Sequence, residues 1–276
     1  MDRIRLIASD MDATLLDEQS QLPADFEETI YALAELGIRF APASGRPLYT
    51  LEELFPALRD ELVFIGDNGG AIRWKGQNLF TSEMSPEGWR ALNRLTREQG
   101  DIAVLCGLES AYVERPFAVH DAVLRHFYTK IEYVDRLEDV AAPADKFTIY
   151  LPQHNAQQAY DTVYASQRSI YSVAVAGECW VDIMNPGVHK GAALQTLGQL
   201  WGLPSESIMA FGDTYNDAEM LRTAKYGFLM ENGSVPLRRN VPFLAPSNRE
   251  AGVMQVLHRV LAQNGCVCPE DFVPAH

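Results

Sequence analysis

The chain has 276 residues, 47% hydrophobic and 22% charged, with a formal net charge of -14 and an isoelectric point near 4.8. That length supports a large core in one or two domains, and the composition is that of an ordinary globular protein. The negative charge excludes a general attraction to nucleic-acid phosphates or anionic lipid, and no window approaches the roughly 18 consecutive apolar residues of a membrane span.

The opening MDRIRLIASD is too short in its apolar part for a secretory signal, so a soluble protein of the cytoplasm is expected. Residues 3–10 read as a buried strand. Residues 23–36 read as a helix, with Phe26, Ile30 and Leu33 on one face and Gly37 as its stop. A strand over 38–43, a helix over 48–58 and a strand over 62–65 follow. This alternation predicts a parallel sheet with crossover helices.

The pattern then changes. A helix is expected over 86–98, strands over 102–105, 111–114 and 147–151, and a helix over 156–165. Residues 171–176 and 179–184 read as a hairpin around Gly177 and Glu178. From residue 189 the first rhythm returns: helices over 189–201, 216–224 and 250–262 alternate with strands over 207–211 and 226–230. The expected fold class is therefore α/β, a doubly wound parallel-sheet core, with a second α+β domain inserted into it. Residues 1–83 and 188–276 form the core in this reading, and 84–187 the insertion. The four cysteines, at 106, 179, 266 and 268, are too few and too scattered for a disulfide framework or paired zinc ligands. Reduced thiols are expected.

Four clusters follow apolar runs or open a helix: D-M-D-A-T (10 to 14), S-G-R (44 to 46), H-K-G (189 to 191) and G-D-T-Y-N-D (212 to 217). Each has a plain structural reading. D-x-D-x-T could be a turn, Ser44 a helix cap, Lys190 a solvated lysine beside a surface His189, and Asp213 or Asn216 caps of the next helix. Their shared placement argues otherwise, because strand ends of a doubly wound sheet open into one crevice.

Gathered there, Asp10, Asp12, Asp213 and Asp217 would repel one another. At about 4 Å and an effective dielectric near 20, each like-charged pair costs roughly 4 kcal/mol. A hard divalent cation with oxygen ligands relieves that, and Mg²⁺ uses one or two carboxylates, waters and a substrate phosphate. Lys190 and Arg46 supply positive charge, and backbone N–H groups near Ser44, Gly45 and Gly191 suit a phosphate. Asp10, aimed by the strand it ends, is positioned to attack phosphorus and form an aspartyl phosphate. Asp12 is then the group that protonates the leaving oxygen and activates water.

With these residues in place the chain resembles the haloacid dehalogenase superfamily phosphatases of the Cof-type hydrolase group. The motifs D-M-D-A-T-L-L, A-S-G-R, G-V-H-K-G and G-D-T-Y-N-D-A-E-M occur in that group's order, joined by N-G-G-A-I (68 to 72) and A-P-S-N-R-E-A-G-V (245 to 253). The resemblance implies a Rossmann-like core with a mobile cap at about 84–187. It implies Asp10 as nucleophile, Asp12 as general acid/base, and Ser44 and Lys190 as phosphoryl holders. Mg²⁺ would be held by Asp10, the Asp12 carbonyl and Asp213. Asn216 would reach the phosphate, and Asp217 would orient Lys190 or the metal's waters. Ala13 departs from the group, which usually has Gly there, so an ordinary turn with negative φ is expected at 13.

The expected activity is Mg²⁺-dependent hydrolysis of a small phosphorylated metabolite, a sugar phosphate or a phosphorylated cofactor. Alternatives are a phosphomutase or phosphotransferase on the same chemistry, a phospho-acceptor signalling domain, and a catalytically silent binding protein. Trp89, Tyr112, His120, His126, Tyr128 and Trp180 are conceivable substrate contacts, with packing the expected fate of each.

Overall fold

The computed structural model describes residues 1–276. A six-stranded sheet organises the first and last parts of the chain, in the order Val273–Pro274, Phe243–Ala245, Tyr226–Met230, Ile208–Gly212, Leu6–Ser9, Arg39–Pro42. Every pairing is parallel except the one at the Val273–Pro274 edge. The central strands are buried throughout and, Ser9 and the Tyr226 hydroxyl apart, free of polar side chains, as expected for a parallel sheet covered on both faces.

One face carries helices Phe26–Glu35 and Gly252–Ala262, whose Phe26, Ile30, Leu33 and Leu257 join the larger hydrophobic cluster. The other face carries Lys190–Trp201 and Ala218–Thr223, with Leu194, Leu197 and Leu221 in a second cluster. No helix is long and apolar enough to cross a membrane.

The expected strand over 62–65 forms at Val63–Gly66, but it does not continue the parallel sheet as a full member. A single bridge, Ala43 to Ile65, joins it there. Its other edge pairs antiparallel with Ala71–Trp74, which pairs in turn with Gln77–Thr81. The reason is local: the loop at Asp67–Gly69 reverses the chain before any crossover helix can form. The expected helix over 48–58 likewise shortens to Leu48–Glu53, and Pro56 starts a separate turn.

Residues 102–184 build a second six-stranded sheet, ordered Ser172–Val175, Trp180–Met184, Ala144–Tyr150, Ile102–Gly107, Ala111–Glu114, Ile131–Val134. Helices Pro86–Gln99 and Ala156–Asp161 cover one face, where Trp89, Leu92, Ala156 and Ala159 join Phe147 and Ile149 of the sheet in one core. The hairpin expected around Gly177 and Glu178 is present. The two segments linking this sheet to the first lie together, where Asn185 Nδ2 donates to the carbonyls of Ser82 and Glu83.

Candidate active site

Strand register assembles the site. Ser9 pairs with Phe211 on one side and with Pro42 on the other. The residues that follow, Asp10, Gly212–Asp213 and Ala43–Ser44, therefore leave the same sheet edge side by side. Asp10, Asp213 and Asp217 each offer a carboxylate oxygen within 4.8 Å of the others. The fourth expected carboxylate stands apart from this group: Asp12 is more than half exposed and accepts a 2.8 Å bond from Arg46.

Lys190 lies wholly buried between two of the carboxylates, donating to Asp10 Oδ1 at 2.5 Å and Asp217 Oδ1 at 2.7 Å. Its expected fate as a solvated lysine in the plain reading is thereby excluded. Burial works against its charge, but Asp10 and Asp217 outweigh burial and hold its pKa above the usual lysine range. Its helix begins with His189 as N-cap, the ring Nδ1 accepting from the Ala192 N–H at 3.1 Å. His189 is thus a capping residue, not merely a surface one. Gly69 of the N-G-G loop has φ 99°, and a Cβ there would fall 2.6 Å from the His189 carbonyl oxygen. Glycine at 69 is what lets the loop seat against the start of the Lys190 helix.

The second oxygen of Asp217 accepts from the backbone N–H groups of Asp213 and Thr214. Both of its oxygens are therefore engaged within the protein. Asp10 and Asp213 keep slight solvent contact, 8% each. Burial, with Asp217 adding repulsion, pushes Asp10 up to about 8 and Asp213 up to about 6. Lys190 pulls the other way in both cases but does not restore ordinary carboxylate behaviour. A carboxylate pair with raised proton affinity, close together and hard in donor character, fits a divalent cation, which would favour the ionised forms.

Ser44 is buried, and its Oγ accepts from the Arg46 N–H at 3.1 Å, making a turn. It does not cap the next helix, whose first residue is Leu48 and whose N-cap position is Pro47. Asn216 accepts from the Thr214 hydroxyl at 2.6 Å.

The backbone at 13 corrects the sequence-based expectation. Ala13 has φ 60° and ψ 8°, in the left-handed region and not in an ordinary turn. The reversal after Asp10 is imposed from outside: Thr14 donates to Asp213 Oδ1 at 3.3 Å, Leu16 N–H to the Met11 carbonyl at 2.9 Å, and Asn232 to the Ala13 carbonyl at 2.8 Å. Alanine pays roughly 1–2 kcal/mol for that conformation. Ala13→Gly is expected to gain about 1 kcal/mol of stability after the extra freedom of unfolded glycine is subtracted. A urea midpoint that does not rise would show the loop to be unstrained.

A cavity of about 480 Å³ opens above these loops, between Asp12, Ser44, Arg46 and Asn216 on one side and the second sheet on the other. Of the aromatic candidates, Tyr128 and Trp180 line it; Trp89 packs in the second sheet's core. Sequence reasoning missed Lys146, Thr148 and Asp182, which also line it. A usable signal existed in D-K-F-T-I-Y (145 to 150), where Phe147 and Ile149 alternate with Lys146 and Thr148.

The comparisons agree with the geometry. Residues 7–257 match the family model described as haloacid dehalogenase-like hydrolase. The 5-amino-6-(5-phospho-D-ribitylamino)uracil phosphatase of Escherichia coli is 32% identical over 262 residues, covering 94% of this chain and 96% of that protein. The HMP-PP phosphatase of Cronobacter sakazakii is 30% identical over 249 residues, covering 87% and 89%. A crystal structure from Streptococcus mutans superposes with a TM-score of 0.84 at 30% identity, covering 94% of this chain and 99% of that one.

Proposed function

Because the chain belongs to the haloacid dehalogenase-like hydrolases, we propose that it is a phosphatase that passes the phosphoryl group of a small phosphorylated metabolite through Asp10 to water. The observation that carries this reading is Asp10 at a buried strand end, with Lys190 bonded to it and Asp213 beside it. An oxygen of Asp10 attacks phosphorus and the bond to the leaving oxygen breaks. Asp12, held by Arg46 on the cavity side, gives that oxygen a proton, then takes one from the water that cleaves the aspartyl phosphate.

Lys190, fixed by Asp217, balances charge on the transferring group, and Ser44 and Asn216 orient its oxygens. Asp10 and Asp213, with the carbonyl of Asp12, would hold Mg²⁺. That ion supplies charge neutralisation and Lewis acidity at the phosphoryl oxygens. Asp217 belongs to the lysine in this assignment: it is wholly buried, with one oxygen bonded to Lys190 and the other to two backbone N–H groups. Residues 84–187 act as the cap that encloses the substrate.

The relatives' named substrates bring a phosphorylated, pyrimidine-bearing compound forward as the first candidate. The test is phosphate release from p-nitrophenyl phosphate and from 5-amino-6-(5-phospho-D-ribitylamino)uracil, with added Mg²⁺ and with EDTA. Activity is expected with Mg²⁺ and a loss of at least about a hundredfold with chelator, since metal stabilisation of phosphoryl charge is worth several kcal/mol. Equal rates in EDTA would remove the metal from the mechanism.

A further inference from the structure

The second sheet turns one face toward the cavity, and strand alternation decides which side chains it presents. Thr148 pairs directly with Asp182 across the sheet, and Tyr150 with Trp180. Lys146, Thr148, Asp182 and Trp180 all line the cavity, while Phe147, Ile149, Val181 and Ile183 lie in the core of the opposite face.

The hydrogen-bond inventory of this floor is one-sided. Lys146 Nζ donates to the Gly45 carbonyl at 2.7 Å and lies 2.9 Å from Asp67 and 3.5 Å from Asp182. These three oxygens surround an ammonium that has three donors and no acceptor. The Thr148 hydroxyl gives its one hydrogen to Asp182 Oδ1 at 2.6 Å. Asn68 Nδ2 donates to Asp182 Oδ2 at 3.3 Å, which leaves Asn68 Oδ1 buried without a donor. Asp182 keeps carboxylate lone pairs beyond these two bonds and Asn68 Oδ1 has no donor, while the Thr148 hydrogen and the Lys146 ammonium are engaged within the protein.

No cation is left free either. Of the two that line the cavity, Lys146 lies against Asp67 and Asp182, and Arg46 is paired with Asp12. A second anionic group on the substrate would find no unpaired positive charge. Above the floor, Trp180 forms an aromatic wall with Phe127 at 5.1 Å and Tyr150 at 4.6 Å between ring centroids. Phe127 also lines the cavity and is only half-buried.

We propose that Asp182, Asn68 and the Trp180–Phe127 wall are the specificity-determining residues of this cavity, and that they select a phosphate ester whose leaving group carries a flat ring bearing N–H or O–H donors. The proposal rests on the phosphatase reading above, and adds to it the groups that read the part of the substrate distant from phosphorus. The ring packs on the aromatic wall and donates to Asp182 and Asn68 Oδ1, while the carboxylate of a phosphorylated acid finds no free cation.

Three phosphate esters and one acyl phosphate test it, each assayed as kcat/KM with Mg²⁺: 5-amino-6-(5-phospho-D-ribitylamino)uracil, ribitol 5-phosphate (the same phosphorylated chain without the ring), phosphoglycolate, and acetyl phosphate as the ring-free reference. The ring-bearing ester is expected to exceed ribitol 5-phosphate by at least about tenfold, with phosphoglycolate the poorest of the first three. Asp182→Asn keeps an acceptor for Thr148 but removes the charge. It is expected to lower the ring-bearing ester's kcat/KM about tenfold relative to that of acetyl phosphate, mainly through KM, the scale of a hydrogen bond to an ionised group. If Asp182→Asn shows no melting transition, Phe127→Ala carries the test with the same expected ratio. Equal handling of the ring-bearing ester and ribitol 5-phosphate overturns the proposal, as does a variant that keeps the wild-type ratio. Hydrolysis of none of the four overturns the phosphatase reading itself, and this inference with it.

Discussion

Asp10→Ala is expected to lose phosphate release by about four to six decades in kcat, the scale seen when the nucleophile of a cooperating catalytic set is removed. The size follows from what Asp10 alone does. The other groups neutralise charge, orient oxygens or move protons, and none of them can accept the phosphoryl group in its place. Water attack on the bound ester would be the only remaining route. The fold should survive the change. Asp10 and Asp217 are both bonded to Lys190, so the variant keeps one ion pair for that lysine and loses one of three crowded carboxylates. Each like-charged contact removed is worth roughly 4 kcal/mol at an effective dielectric near 20, which offsets the lost pair. Steady-state kinetics and a melting curve on the same preparation check both halves. Wild-type turnover would remove Asp10 from its assigned role, and a collapsed melting transition would make the kinetic loss uninformative about mechanism.

The sequence made the assembly legible because each cluster follows a buried strand or opens a helix. Once Leu6–Ser9 lies between Ile208–Gly212 and Arg39–Pro42, Asp10, Asp213 and Ser44 have nowhere else to go. Less visible were features set by contacts distant in sequence. Ala13 carries no local sign of a positive φ; Asp213 and Asn232 impose it through bonds that span 199 and 219 residues of chain. The role of Asp217 was open between the lysine and the metal's waters because its two backbone partners appear only when the loop after Gly212 closes. A Cβ at Gly212 would lie 2.4 Å from the Asp217 Cβ, so the closeness itself depends on that glycine. The hairpin over 71–81 was missed for a different reason. Its strands, A-I-R-W and Q-N-L-F-T, place a buried Arg73 where alternation would want an apolar residue. Arg73 is tolerated there because Glu52 and Glu109 neutralise it.

Lys190→Met should separate the two jobs of the buried lysine. Methionine fills a similar volume without charge, so Asp10 and Asp217 would be left facing each other with Asp213 beside them. Breaking a buried ion pair by removing one partner costs about 3–5 kcal/mol, and urea unfolding in EDTA is expected to show a loss of that order. Saturating Mg²⁺ is expected to recover much of it, because a cation bound to Asp10 and Asp213 in the folded state alone stabilises that state by mass action and replaces the missing neutralisation. Turnover is not expected to recover. The ammonium of Lys190 reaches Asp10 from the side of Asp217, a position fixed by the helix that begins at residue 190, and the metal cannot occupy both places. A residual loss of about two to three decades in kcat at saturating Mg²⁺ is the scale for one preorganised charge on a transferring group. Recovery of both stability and turnover by Mg²⁺ would show that Lys190 serves only to balance charge. Recovery of neither would place the cation somewhere other than between Asp10 and Asp213.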